Sequence, residues 1–291
     1  MHFNYKKIKK IYKTIYKFKK VWYDIDVSEN HLSKGRLPYR LKQGGEGTGT
    51  AYIGLCGKLS IDLAVYLGQI LKNLQKRVLI ADLTESYGLY YLFSVSEKFP
   101  VTYRDVDYIS RDFNVYAEEN MKYDYILICM AGNVRRVAGS RLSKIYYISD
   151  TQYVNILSMI YEIKNSGQAT GIVIRDITEG GINPEYLFKY VFADEYLMKM
   201  YYGHRLYKIH DDLADREYRL NMQYGDFSSF RNLSGEFLKV LEMITMELTG
   251  YEKSQVSHSL KYAKEGKTVE KHNILEQRFR KKRDKRQYAC H

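Results

Sequence analysis

A doubly wound α/β fold built on a mostly parallel sheet is what this sequence predicts, on two observations. Apolar runs without an alternating period recur from residue 51 onward, as strands buried on both faces require. Helix-length segments separate those runs, and a crossover helix is the connection that parallel strands need. Only three prolines occur in 291 residues, so long extended linkers are not expected.

Taken in order, the expected strands are "AYIGL", "RVLIAD", "YDYILICMAG", "KIYYISD" and "ATGIVIRD". Ile61 to Asn73 and Tyr153 to Asn165 read as crossover helices. Beyond Asp176 the pattern weakens: "GGINPEYLFKYVF" reads as a loop with a short helix, and "EYLMKMYY" as a candidate last strand. The segment "SSFRNLSGEFLKVLEMITMEL" predicts a closing helix, with Leu233, Phe237, Leu241 and Ile244 on one side. The domain so defined runs from 46 to 250, between an N-terminal arm (1–45) and a C-terminal tail (251–291).

Charge separates these parts. The total is +12, but residues 1–45 hold twelve Lys/Arg against three Asp/Glu, and residues 251–291 hold twelve against five. The middle is therefore mildly acidic, and the basic charge lies at the ends. Such ends point to an anionic surface, lipid or nucleic acid, or else to solvated tails.

In the arm, Ile8, Ile11, Tyr12, Ile15, Tyr16, Lys19 and Trp22 fall on one helical stripe, and Lys6, Lys7, Lys10 and Lys17 are among the eight lysines from Lys6 to Lys20 that fill most of the rest. A helix of that kind suits the boundary of an anionic membrane, and it could equally dock its Ile/Tyr face on the domain. "LKQGGEGTGT" then reads as a flexible joint. The tail ends in "EQRFRKKRDKRQYACH", where Arg280, Lys281, Lys282 and Arg283 form a basic run suited to lipid or nucleic-acid contact.

Three cysteines, Cys56, Cys129 and Cys290, show no CxxC spacing and make an odd count. They read as residues of a reducing compartment, without a disulfide framework or a zinc site. With no apolar run of bilayer-spanning length and no secretory signal, the expected location is the cytoplasm, extending to the inner membrane face. His204 and His210 lack a third metal partner, and no Ser/His/Asp arrangement can be assembled. Thirty tyrosines read first as compositional bias and second as a sticky aromatic surface.

The stretch "YIGLCGKLSIDLAVYLGQILKNLQKRVLIAD" has the order of a phosphate-binding βαβ unit: strand, glycine loop, amphipathic helix, strand. With "YDYILICMAG", "KIYYISDTQYVNILSMIYEIKN" and "GIVIRD", it resembles the ParA/MinD family of P-loop ATPases over Tyr52 to Asp176. That resemblance implies a P-loop NTPase-like fold of the deviant Walker A type. It also locates a nucleotide pocket whose remnants here are Gly54, Gly57, Lys58, Ser60 and Asp82.

Position by position, the chemistry departs from the family pattern. Without gaps, Leu59, Ser60, Ile61 and Asp62 stand where the family has Gly-Lys-Thr-Thr. A register moved by two aligns Gly57 and Lys58 with Gly-Lys, but Leu59 then takes the position of the magnesium-binding hydroxyl. Cys129 stands at the family's magnesium-organising aspartate, where a neutral thiol cannot serve a hard cation. Arg175 falls at the asparagine that reads adenine. Of the acidic pair after the second strand, Asp82 remains and Thr84 takes the other place, although a strand-end aspartate can equally cap the next turn.

The expectation is therefore a degenerate member similar to the TadZ/CpaE proteins: a pseudo-ATPase without catalytic residues, cofactor or metal. The resemblance implies a localisation or assembly scaffold at the cytoplasmic membrane face, serving a pilus, secretion or conjugation-type machine. Its expected partners are proteins of that machine, an anionic membrane and a second copy of the chain. One alternative is an active ATP and magnesium switch that uses Lys58 and Asp82. Another is a non-specific nucleic-acid-binding partition protein using the basic ends.

Overall fold

A computed structural model describes residues 49–84, 88–93, 100–110, 123–132, 142–167, 169–180, 183–191, 198, 203, 205–224 and 229–267. The chain divides into two units, Met1–Pro38 and Tyr39–His291. The first lies wholly outside the described residues, and with it the membrane-contact positions Lys6 to Trp22. Arg280, Lys281, Lys282 and Arg283 also lie outside them.

Eight strands form one sheet: β1 (Ala51–Cys56), β2 (Val78–Asp82), β3 (Val101–Tyr103), β4 (Val106–Ser110), β5 (Tyr125–Met130), β6 (Lys144–Ser149), β7 (Gly171–Ile177) and β8 (Leu206–His210). Their order is β3-β4-β2-β5-β1-β6-β7-β8. Every pairing is parallel except that of the edge strand β3 with β4. The predicted mostly parallel, doubly wound sheet is thus observed, and all five strands read from the sequence are present.

The helices are α1 (Ile61–Asn73), α2 (Gly88–Leu92), α3 (Tyr153–Ser166), the single turn α4 (Pro184–Tyr186) continuing into a π-turn at Leu187–Val191, α5 (Leu213–Met222), α6 (Gly235–Thr249) and α7 (Lys253–Lys264). Two apolar cores lie on opposite sides of the sheet. One joins α1, α6 and α7 to residues such as Leu55, Ile80 and Cys129. The other joins Ile156, Met159, Ile160 and Ile163 of α3, with Leu187 and Phe188, to Cys56, Ile128 and Met130. Cys56 and Cys129 therefore face opposite layers and pack as small hydrophobes.

Helix α1 is central. Eleven of its thirteen residues are buried, because the sheet covers one side while α6 and α7 cover the other. An added Cβ at Gly68 would lie 2.8 Å from Ile80 Cδ1, so the glycine lets the helix approach the sheet closely. Tyr66 packs on Phe230 and Phe237 at centroid distances of 4.7 and 5.8 Å. Leu233, Phe237, Leu241 and Ile244, the predicted face of the closing helix, are all buried in this layer.

Four features depart from the sequence reading. The segment 251–291, read as a basic tail, contains α7. That helix buries Val256, Ser259, Leu260 and Ala263, and Ser259 donates to the Ile70 carbonyl of α1 at 2.6 Å. The edge strand beyond β7 is β8 at Leu206–His210, whereas most of "EYLMKMYY" lies outside the described residues. The hairpin of β3 and β4 and the helix α5 have no counterpart in the sequence reading.

Several tyrosines are structural. Tyr146 and Tyr207 flank Gly171 of β7, where an added Cβ would lie 3.0 Å and 2.8 Å from their rings. Both hydroxyls donate to Glu247 Oε2 at 2.8 Å, and Lys144 Nζ donates to the Glu247 carbonyl at 2.5 Å. This cluster fastens the end of α6 to the sheet.

Candidate functional site at the carboxyl edge of the sheet

In a doubly wound fold, ligands bind outside the carboxyl ends of the strands near the point where strand order reverses. Here that point is β1, which lies between β5 and β6, and the turn into α1 follows it. Only Gly57, Lys58, Leu59 and Ser60 separate β1 from α1.

Gly57 makes this short turn possible. Its N–H donates to the Met130 carbonyl at 2.7 Å, its φ is +146°, and an added Cβ would fall 2.0 Å from the Ile148 carbonyl oxygen. The backbone thus passes between the ends of β5 and β6 with no room for a side chain. Gly54 lies within β1, packed against Leu142, Met130 and Ile145. Lys58 is exposed and Ser60 is fully buried.

Behind the turn lies an ion pair that the sequence reading did not foresee. Arg175 of β7 forms a two-pronged pair with Asp62 of α1, with Nη1···Oδ1 at 2.7 Å and Nη2···Oδ2 at 2.8 Å. The side chains are only 2% and 4% exposed. Arg175 Nη1 also donates to the Leu59 carbonyl at 3.0 Å, and its guanidinium lies 4.9 Å from the Phe237 ring centroid. Burial works against the charge on Arg175, but the Asp62 carboxylate outweighs it and holds the group above its ordinary pKa. The two residues are 113 positions apart, so only the fold brings them together. A signal did exist: both depart from the family pattern, in complementary chemical senses.

Asp82, at 1% exposure, is engaged in local capping. Oδ1 accepts from the Thr84 N–H at 2.9 Å and the Thr84 hydroxyl at 2.6 Å, and Oδ2 accepts from the Leu89 N–H at 2.9 Å. It pairs in register with Cys129 on β5. Cys129 Sγ donates to the Ser60 carbonyl at 3.9 Å. Burial, and then the Asp82 charge, push the Cys129 thiol well above its ordinary pKa. Burial likewise pushes Cys56 up to about 12. Both thiols are therefore neutral and poorly nucleophilic near neutral pH. Gly57, Ser60 and Asp82 thus border one site with Asp62, Cys129 and Arg175, while Gly54 lies outside it.

A second charged group lies farther along the same edge, where α5 and α6 begin. Arg219 pairs with Asp176 at 3.0 Å, Arg216 with Asp211, and His210 Nδ1 with Glu236 at 2.8 Å. The Asp212 side chain caps α5 by accepting from Ala214 N–H at 2.8 Å. Ser234 caps α6 by accepting from Phe237 N–H at 3.1 Å and donates to Asp215 at 2.7 Å.

Strand order, buried parallel strands and the strand–turn–helix at β1 give a doubly wound α/β fold similar to that of P-loop NTPases. Within that class the fold is ParA/MinD-like. The MinC:MinD cell division protein complex of Aquifex aeolicus matches with a TM-score of 0.50 at 13% identity, over 69% of this chain and 96% of that one. A plasmid partition protein of Borrelia burgdorferi B31 bound to AMPPNP matches with a TM-score of 0.47 at 13% identity, over 69% and 100%. The ATP complex of a Cyanothece McdA variant matches with a TM-score of 0.47 at 12% identity, over 71% and 98%. At these identities the likeness concerns the fold. No family model matches the chain, and no curated protein does.

Proposed function

We propose that this chain is a ParA/MinD-like protein that works without nucleotide turnover, as a localisation or assembly scaffold. The observation that carries this reading is the buried Asp62–Arg175 pair packed against the β1–α1 turn. The first turn of α1 is already occupied by the Asp62 carboxylate, which accepts from the Leu63 N–H and binds Arg175, so a phosphate there would have to displace a buried, paired group. Lys58 is exposed to solvent in the turn. Cys129 offers a hard cation no oxygen ligand, and Asp82 already accepts three hydrogen bonds. Magnesium and ATP do not fit this set of residues.

The remaining assignments follow from the sequence. Protein partners are the primary expectation, and the matched Aquifex MinD is itself in a complex with MinC. The lysine-rich arm supplies an anionic-membrane contact, which places the scaffold at the cytoplasmic membrane face in the manner of TadZ/CpaE-like proteins. Among the described residues no helix is long and apolar enough to cross a membrane, consistent with peripheral attachment.

The test is titration of the full chain with a fluorescent ATP analogue, with and without magnesium, beside Lys58→Ala. The expected result is no saturable binding in either protein. Saturable binding lost on Lys58→Ala would replace this reading with an active ATP switch. Vesicle flotation separates the membrane from nucleic acid: lipid binding should persist in salt and fail on Ile11→Asp or Ile15→Asp, whereas phosphate-backbone binding weakens steeply with salt.

A further inference from the structure

We propose that Asp62 and Arg175 act as a built-in ligand for the β1–α1 turn, supplying from the chain the anion and the cation that a phosphate loop otherwise takes from its ligands. The turn then holds one conformation with nothing bound. This rests on the nucleotide-independent reading above and deepens it by naming what fixes the site.

The anion comes first. A helix N-terminus favours negative charge because its first N–H groups lack partners and its dipole is positive there. Asp62 is the second residue of the thirteen-residue α1, and its Oδ1 accepts from the Leu63 N–H at 2.8 Å. That N–H is one that a serine at the N-cap ordinarily holds. Ser60 occupies the N-cap, makes no side-chain capping bond, and its buried Oγ has no partner. The carboxylate has displaced the serine from its own helix end. An anion is thus already seated at α1, and it belongs to the chain.

The cation is equally specific. The Arg175 guanidinium binds both carboxylate oxygens, reaches over to the Leu59 carbonyl in the turn, and stacks near Phe237 of α6. One side chain from β7 therefore joins the turn, α1 and α6. A planar guanidinium presents a rigid fork of donors that binds both carboxylate oxygens and leaves a donor for a carbonyl, whereas a lysine acts as a point charge without that two-pronged geometry. Its Nε is buried without a hydrogen-bond partner, so among the described residues its hydrogen bonds are those to Asp62 and to the Leu59 carbonyl.

The experiment measures amide hydrogen exchange across Gly57–Leu63 in the nucleotide-free full chain, together with the melting temperature. Arg175→Ala should lower the melting temperature by about 10 °C, as loss of one partner of a buried pair does in a domain of this size. It should also speed exchange in the turn by roughly tenfold or more, as local opening does. Millimolar guanidinium should restore protection in Arg175→Ala and leave wild type unchanged. Should Arg175→Ala not fold, Asp62→Leu/Arg175→Met carries no uncompensated buried charge and serves instead. It should melt close to wild type, lose protection in the turn, and not respond to guanidinium.

Retained protection in the variant measured, or deprotection of Arg175→Ala that guanidinium leaves unchanged, overturns the proposal. ATP-analogue binding to wild type would instead overturn the functional reading, and either result can occur without the other.

Discussion

The carboxyl edge of the sheet carries two groups of ion pairs, and exposure to solvent distinguishes Asp62–Arg175 in the first from His210–Glu236 in the second. At β1–α1, Asp62 and Arg175 are 4% and 2% exposed and meet through two charge-assisted bonds. At β8 and α6, His210 and Glu236 are 48% and 53% exposed, at a comparable contact distance. Exposed pairs are screened by water and contribute little, whereas removing one member of a buried pair strands a charge in the interior. Similar chemistry on one edge thus yields a structural fixture at one end and a solvated fringe at the other.

Variants of both groups and of the elements between them break or sharpen that contrast. Asp62→Ala should have the largest effect, about 3–5 kcal/mol in chemical denaturation, because Arg175 is left uncompensated. A loss near zero would erase the difference between the two ends. Glu247→Ala, which removes the acceptor of two tyrosine hydroxyls and of no ligand-edge group, should cost about 2 kcal/mol. Ser234→Ala should cost about 1 kcal/mol by uncapping α6, seen as a modest shift of the urea midpoint.

The smallest effect belongs to the exposed fringe and appears with pH. The His210 backbone N–H, and then its ring, hold the Glu236 carboxyl below its usual range. Its folded pKa is depressed, so its small contribution is present above the ordinary carboxylate pKa and is lost as pH falls through the lowered value. Glu236→Gln should remove that part of the acid limb and leave stability near neutrality almost unchanged. A large loss at neutral pH in this variant would show that exposure does not separate the two groups.

The parts of the fold legible in the sequence were those with strong local signals. β1, β2, β5, β6 and β7 announced themselves as continuous apolar runs, since both faces of an inner parallel strand are covered. The closing helix showed the stripe that it buries. The hairpin was hidden because its two-residue turn is Arg104–Asp105, both at positive φ, where glycine or asparagine would ordinarily mark such a turn. Helix α5 was hidden because Leu213 and Leu220 project into solvent and it buries only Asp215 and Met222. β8 was missed because its burial alternates and Lys208 and His210 interrupt its apolar pattern. The basic composition of the last forty residues masked α7, whose buried face is only four residues wide.

The site was legible as a set of departures. Leu59, Ser60, Cys129 and Arg175 were each visible as residues that do not match a phosphate pocket. Asp82 reads in the sequence as a pocket acid or a cap, and in the structure it accepts three local hydrogen bonds.

By itself the sequence determined the doubly wound architecture, the position of the β1–α1 turn and the segregation of basic charge to the ends. These follow from hydrophobic period, glycine placement and composition, which act over short stretches of chain. Only the tertiary structure decided what became of the altered pocket. Whether Asp62 and Arg175 are two liabilities or one neutral pair depends on where β7 ends relative to α1. That relation is set by strand order and by the packing of α1 between the sheet and α6, and no local rule contains it.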